Sequence, residues 1–183
     1  LRDMVDQMKL DNKDIEKELD RSLELFKQLE FDQKLTETIE KLDRLREKQE
    51  KLSNDTQKSQ EQKKAEQDQM NKEFEALRKD LDELQKKNEA LKEPKKMEDT
   101  DASEQDIQQD MQKSSDELGQ GKSGKASKSQ KSASKKMEEL SQKMKQMQEQ
   151  NEQKEMEEDI GKLREILENL IQLSFDQERV MKQ

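Results

Sequence analysis

The chain has 183 residues, of which 26% are hydrophobic and 45% charged, with 46 acids against 37 bases for a net charge of −9. Ordinary globular domains are roughly 45–50% apolar, which argues against a compact single-core domain, while mixed charge, a helix-forming alphabet and a single proline favour long helices over disorder. The absence of His and Cys removes the commonest metal ligands, the usual general base and the thiol nucleophile, so no catalytic residue, cofactor site or metal site is expected.

From Leu1 to Leu52 there is no Gly or Pro, and the spacing predicts one long N-terminal helix over 1–53. At 1.5 Å per residue it would be about 80 Å long. Its stripes are Leu1, Met4, Val5 and Met8, then Ile15, Leu19, Ser22, Phe26 and Leu29, and after a step at Phe31, Leu35, Ile39, Leu42, Leu45 and Leu52. Asp11-Asn12 can cap a fresh helix start, with a kink there. Ser53-Asn54-Asp55-Thr56 is a cluster of turn formers and marks a corner.

A second helix is predicted over 55–93. Its first part, Gln57 to Gln69, has Ala65 as its only apolar residue and needs its surroundings to hold it helical. The rest carries the cleanest seam in the chain: Met70, Phe74, Leu77, Leu81, Leu84, Asn88 and Leu91 alternate steps of four and three. Asn88 on that seam either fixes register or lies at a frayed end, because Pro94 stops the helix soon after.

Residues 94–102 read as a linker and 103–118 as a short helix capped by Ser103, with the stripe Ile107, Met111 and Leu118. Residues 119–124 hold three of the four glycines and form a turn. A long C-terminal helix is predicted over 125–183. Ala126, Ala133, Met137, Leu140, Met144 and Met147 share one register, and the interval of nine to Met156 breaks it. Beyond the break, Ile160, Leu163, Leu167 and Leu170 lie on one face, widened by Ile166, Ile171 and Leu173.

Two ends of the chain carry similar words: Gln28-Leu29-Glu30-Phe31-Asp32-Gln33 is echoed by Gln172-Leu173-Ser174-Phe175-Asp176-Gln177. The expectation is that these ends pack antiparallel, burying Leu29, Phe31, Leu173 and Phe175, and that the intervening chain forms arms. The echo marks either a pair of equivalent docking surfaces or simply two amphipathic helix ends. The seam from Met70 to Leu91 can pair within the chain or with a second copy, and protein helices are the expected partners.

Charge is segregated across the glycine turn, with acids from Glu98 to Glu117 and lysines from Lys122 to Lys136. Lys122, Lys125, Lys128, Lys131, Lys135 and Lys136 are candidate anion-binding residues for nucleic acid or anionic lipid. The favoured alternative is a pair of solvated hairpin faces, whose exposed ion pairs are worth about 0–1 kcal/mol each. No aromatic side chain interleaves the lysines to stack on bases, and the net charge is negative. The methionines at 137, 144 and 147 suit either a bundle seam or an adaptable groove for partner helices.

Three stretches carry a family resemblance. Asp11 to Phe31, Lys125 to Lys131 followed by Met137-Glu138-Glu139-Leu140, and Leu163 to Leu170 through Phe175-Asp176-Gln177 resemble the helix-rich region of large membrane-anchored Bacteroidota proteins grouped as domain of unknown function 4175. The resemblance implies a cell-envelope protein with membrane helices upstream and an extramembrane, periplasmic helical region, with no catalytic residues to carry over. The start at Leu1 fits a piece of a longer protein, and any membrane contact is expected through segments outside it, since no run reaches the roughly 18 apolar residues of a span.

The combined expectation is an all-α, elongated helical bundle or antiparallel coiled-coil hairpin of long helices. Its expected role is structural: a stalk or scaffold that docks partner helices. A holdase gripping unfolded chains and an anion binder acting through the lysine stretch are the alternatives.

Overall fold

The computed structural model describes the backbone of residues 2–181 and the side chains of 15–179 and 181. The described residues form four helices, α1 (Arg2–Asn54), α2 (Gln60–Glu89), α3 (Asp101–Gly119) and α4 (Ser123–Met181), so the fold is all-α. The chain divides into two units, Leu1–Lys145 and Gln146–Gln183. The stripe Leu1, Met4, Val5 and Met8 lies outside the described side chains, and α1 runs without a break through Asp11-Asn12.

In the first unit the four helices pack as an up-down-up-down bundle. Side-chain bonds join α1 to α2 through Lys34–Asp80 and Lys48–Glu73, and α2 to α3 through Arg78–Glu104 and Ser115–Asp68. They join α3 to α4 through Asp110–Ser132 and Glu117–Ser129, and α4 back to α1 through Ser127–Ser53 and Ser141–Asp43. Along every pair one residue number rises as the other falls, which makes each neighbour antiparallel.

The core is built from steps of three and four, which keep one stripe on one face of each helix. Phe31, Leu35, Leu42 and Leu45 come from α1, Met70, Phe74, Leu77, Leu81 and Leu84 from α2, Ile107, Met111 and Leu118 from α3, and Ala126, Ala133, Met137, Leu140 and Met144 from α4; all are buried. The alanines let α4 approach closely enough for Ser127 and Ser134 to donate to main-chain oxygens of Ser53 and Arg46. The seam of α2 is therefore covered within the chain.

This arrangement overturns the expectation that the chain's ends form the core and its middle the arms. The middle carries four unbroken stripes that can cover one another. In the first unit, Ile15, Leu19, Phe26 and Leu29 of α1 are exposed. In the second, α4 continues alone, and every side chain from Glu152 to Phe175 is exposed. A single helix has no second element in its unit to cover its apolar face.

Element ends differ from the sequence reading by a few residues, for local chemical reasons. The helix predicted to start at 55 starts at Gln60, because Asp55 accepts from the Gln57 and Lys58 N–H groups and holds a turn. Ser59 then forms a capping box with Gln62. The same helix ends at Glu89 rather than 93. Short helix α3 begins at Asp101 rather than 103, after Thr100. Helix α3 stops in a Schellman motif: Lys122 N–H donates to Glu117 O at 2.8 Å, Gly121 N–H to Leu118 O at 3.1 Å, and Gly121 takes φ +80°. α4 starts at Ser123 rather than 125.

Candidate functional site

The structure places the seam residues in two very different environments. Phe31, Met70, Phe74, Leu77, Leu81, Leu84, Asn88 and Leu91 are buried in the first unit, whereas Leu29, Leu163, Leu167, Leu170, Leu173 and Phe175 are exposed. The expected burial of Leu29, Leu173 and Phe175 is thereby corrected. Leu29 and Phe31 are two residues apart, about 200° around a helix, so one face cannot take both, and the same holds for Leu173 and Phe175. The echoed words thus describe different surroundings: Phe31 is 1% exposed and Phe175 63%.

Asn88 is buried rather than facing water, and its side chain reaches the segment after the helix. Its side-chain amide donates to Lys95 O at 2.9 Å and its carbonyl accepts from Lys95 N–H at 2.8 Å, which pins the linker around Pro94 to the end of α2. Lys95 is then held over Phe31, with its ammonium 5.4 Å from the ring centre and 2.6 Å from Asp32 Oδ1. Lys27 donates to Ala90 O at 3.1 Å, a cation at the negative end of the α2 dipole.

The bundle interior contains a polar layer that the sequence reading passed over. Gln49, Gln67, Ser114 and Gln130 come one from each helix and are between 0% and 2% exposed. Gln67 is the hub: its Oε1 accepts from Gln49 at 2.8 Å, Gln130 at 3.0 Å and Ser114 at 3.1 Å. Its Nε2 donates to Gln49 Oε1 and Asn71 Oδ1. The signal was present as gaps: Leu45 to Leu52, Met111 to Leu118 and Ala126 to Ala133 each skip seven, and the skipped seam position holds Gln49, Ser114 or Gln130. Gln67 stands three before Met70 on its own seam.

Charged groups line the helix boundaries. Asp80 sits between Lys34 at 2.8 Å and Lys41 at 2.7 Å, and Lys34 also reaches Glu83 at 2.7 Å. Burial pushes the Asp80 carboxyl up, but the hydrogen bonds from Lys34 and Lys41 outweigh it and hold the group below the ordinary value of 3.8. Asp43, bonded to Lys145 and Ser141, and Asp68, bonded to Lys64 and Ser115, are lowered against the same burial effect. The hydrogen bonds that Lys34 donates to Asp80 and then to Glu83 raise it above 10.5.

These shifts set a pH profile. The depressed carboxylates contribute stability that is present above about pH 4 and lost as pH falls through their folded values. The contribution of Lys34 is complete below its unfolded pKa and is lost only as pH rises through its raised one. Urea-unfolding midpoints are therefore expected to be flat across neutral pH and to drop progressively below about pH 4. A midpoint that holds or rises on acidification would refute the assignment.

The lysine stretch lies on the solvent side of α4. Lys122, Lys125, Lys128, Lys131 and Lys135 are exposed, and Lys136 is half-buried. Lys136 pairs with Asp110 at 2.8 Å, Lys135 lies 3.8 Å from Glu139, and Lys122 donates to Gln120. The same turns bury Ala126, Ser129, Gln130 and Ala133 against the bundle.

The second unit presents a continuous apolar face. Ile160, Leu163, Ile166, Leu167, Leu170 and Leu173 are each between 52% and 66% exposed. Among the described residues no helix is long and apolar enough to cross a membrane. No family model, curated protein or solved structure matches the chain.

Proposed function

We propose that the chain is a non-enzymatic structural and interaction module, a helical stalk or scaffold of a larger cell-envelope protein that docks partner helices. The observation that carries this reading is the exposed apolar face between Ile160 and Phe175. The largest apolar patch on a typical folded monomer is about 300–600 Å² and is often functional, and this face is of that order. The resemblance to domain of unknown function 4175 supports a periplasmic setting, with membrane attachment through segments outside this chain. The engagement of Asp43, Asp68, Asp80 and Lys34 in bonds between neighbouring side chains supports a role without catalysis.

A holdase is the second reading, favoured by Met156 and Met181, which are 65% and 82% exposed and belong to the most adaptable apolar side chain. A photo-crosslinking residue at position 167 of the full-length protein in cells separates the two. Docking predicts one discrete product; a holdase predicts a smear of many masses. Absence of any product would refute both.

A further inference from the structure

The exposed face of the second unit fits one occupant well, and resting on the docking reading above, we infer that it is a second copy of the same helix, aligned in parallel. The exposed area suits such a pair. A large apolar side chain contributes roughly 60–120 Å² when buried. The six that are half or more exposed between Ile160 and Leu173 therefore offer roughly 200–450 Å² per chain. Flanking Met156, Ile171 and Phe175, themselves 65%, 49% and 63% exposed, and the stems of the charged residues beside them extend it. Over two copies these side chains offer roughly 600–1,300 Å², whose upper end meets the lower bound of the roughly 1,200–2,000 Å² of total surface in specific interfaces.

Helix stability points the same way. An isolated helix draws most of its stability from packing of its apolar face, and residues 152–175 have no such packing within their own unit. A coaxial partner supplies it.

Charge pairing bears on the direction of the second copy. With Ile160, Leu167 and Ser174 at the a positions and Leu163 and Leu170 at d, Asp159, Ile166 and Leu173 fall at g, and Arg164, Ile171 and Glu178 at e. In a parallel pair each g residue faces the e residue five further along the other helix. Asp159 then faces Arg164 of the second copy, and Ile166 faces Ile171, twice each by symmetry. Glu152 opposite Glu157, also twice by symmetry, is repulsive. The two antiparallel registers that keep the leucines together set Arg164 against Arg164, or Glu157 against Glu178. Among the described residues, Asp159 makes an exposed contact to Lys162 at 3.4 Å. The apolar g and e positions also explain why the stripe is wider than a two-residue seam, since they flank the core of the pair.

Sedimentation equilibrium of the 1–183 chain over a concentration series tests the inference. The expected mass is twice 21.7 kDa at micromolar concentration, falling to the monomer value in Leu163→Glu/Leu167→Glu with the bundle's unfolding midpoint unchanged. Asp159→Arg and Arg164→Asp are each expected to weaken the dimer roughly 2- to 10-fold, and the double variant to restore it. Because the chain has no cysteine, Ser174→Cys reports direction: a parallel pair brings the two introduced thiols within disulfide reach, and oxidation traps a reducible dimer.

A monomer at all concentrations, or a dimer that survives Leu163→Glu/Leu167→Glu, would overturn self-pairing. A dimer abolished by that variant but not trapped through Ser174→Cys would overturn the parallel alignment. A discrete crosslink from position 167 to a different protein would leave docking standing and remove self-pairing alone.

Discussion

Replacing Gln67 by leucine is expected to lower the free energy of unfolding of the first unit by about 2–4 kcal/mol, although the substitution conserves volume and adds apolar surface. The cause is orphaned partners. Gln67 Oε1 is the acceptor for Gln49, Gln130 and Ser114, and its amide is the donor to Gln49 Oε1. All three neighbours are buried beyond the reach of water. A buried donor left unpaired costs about 1–3 kcal/mol, and partial re-pairing between Gln49 and Gln130 keeps the total below the sum.

The fourfold variant Gln49→Leu/Gln67→Leu/Ser114→Ala/Gln130→Leu makes the layer wholly apolar and is expected to regain or exceed the original stability. The loss there falls on uniqueness of register, because a single polar layer penalises every sliding of one helix by a turn. Urea unfolding measures the first effect and amide hydrogen exchange the second. A change of under about 0.5 kcal/mol in Gln67→Leu would mean that the layer carries no energetic weight.

The four phenylalanines provide the other large effect, and they divide cleanly. Phe31 and Phe74 are each 1% exposed, whereas Phe26 and Phe175 are 65% and 63% exposed. Truncating a buried Phe to Ala loses its transfer energy and leaves a cavity, at a cost of about 3–5 kcal/mol. Phe74→Ala and Phe31→Ala are expected to fall in that range, with Phe31→Ala also removing the ring beneath Lys95. Typical domains are stable by only about 5–15 kcal/mol, so the two together should bring the bundle near unfolding. Phe26→Ala and Phe175→Ala should shift its urea midpoint by an amount equivalent to under about 0.5 kcal/mol. Equal losses from the buried and the exposed pair would contradict the placement of the core.

Much of the fold was legible before the structure. The seam from Met70 to Leu91, the stripe from Leu35 to Leu52 and the methionine register from Met137 to Met147 are heptad patterns, and a heptad pattern is readable because helical geometry repeats every three to four residues. The turn at Gly119 to Lys122 was legible for an equally local reason, since only a residue without a Cβ takes positive φ at no cost. The same local logic misled where burial was concerned. The apolar run from Ile160 to Leu173 is denser than any in the middle of the chain, yet its side chains are exposed because no element of the same unit lies against them.

The polar layer could not be identified from spacing alone. A glutamine on a seam looks the same in one dimension whether it faces water or three partners from other helices, and Gln49, Gln67, Ser114 and Gln130 lie far apart in the chain. Asn88 and Lys95 are nearer neighbours, yet their bond exists only because the backbone after Ala90 turns back toward α2. Helix identity, helix phase and the sites of chain reversal were thus determined by residues within a few positions of one another, where periodicity and backbone sterics act. Which stripes are covered, which polar side chains find partners and which apolar face stays open were decided by the tertiary structure, because burial depends on what other helices bring to the same place.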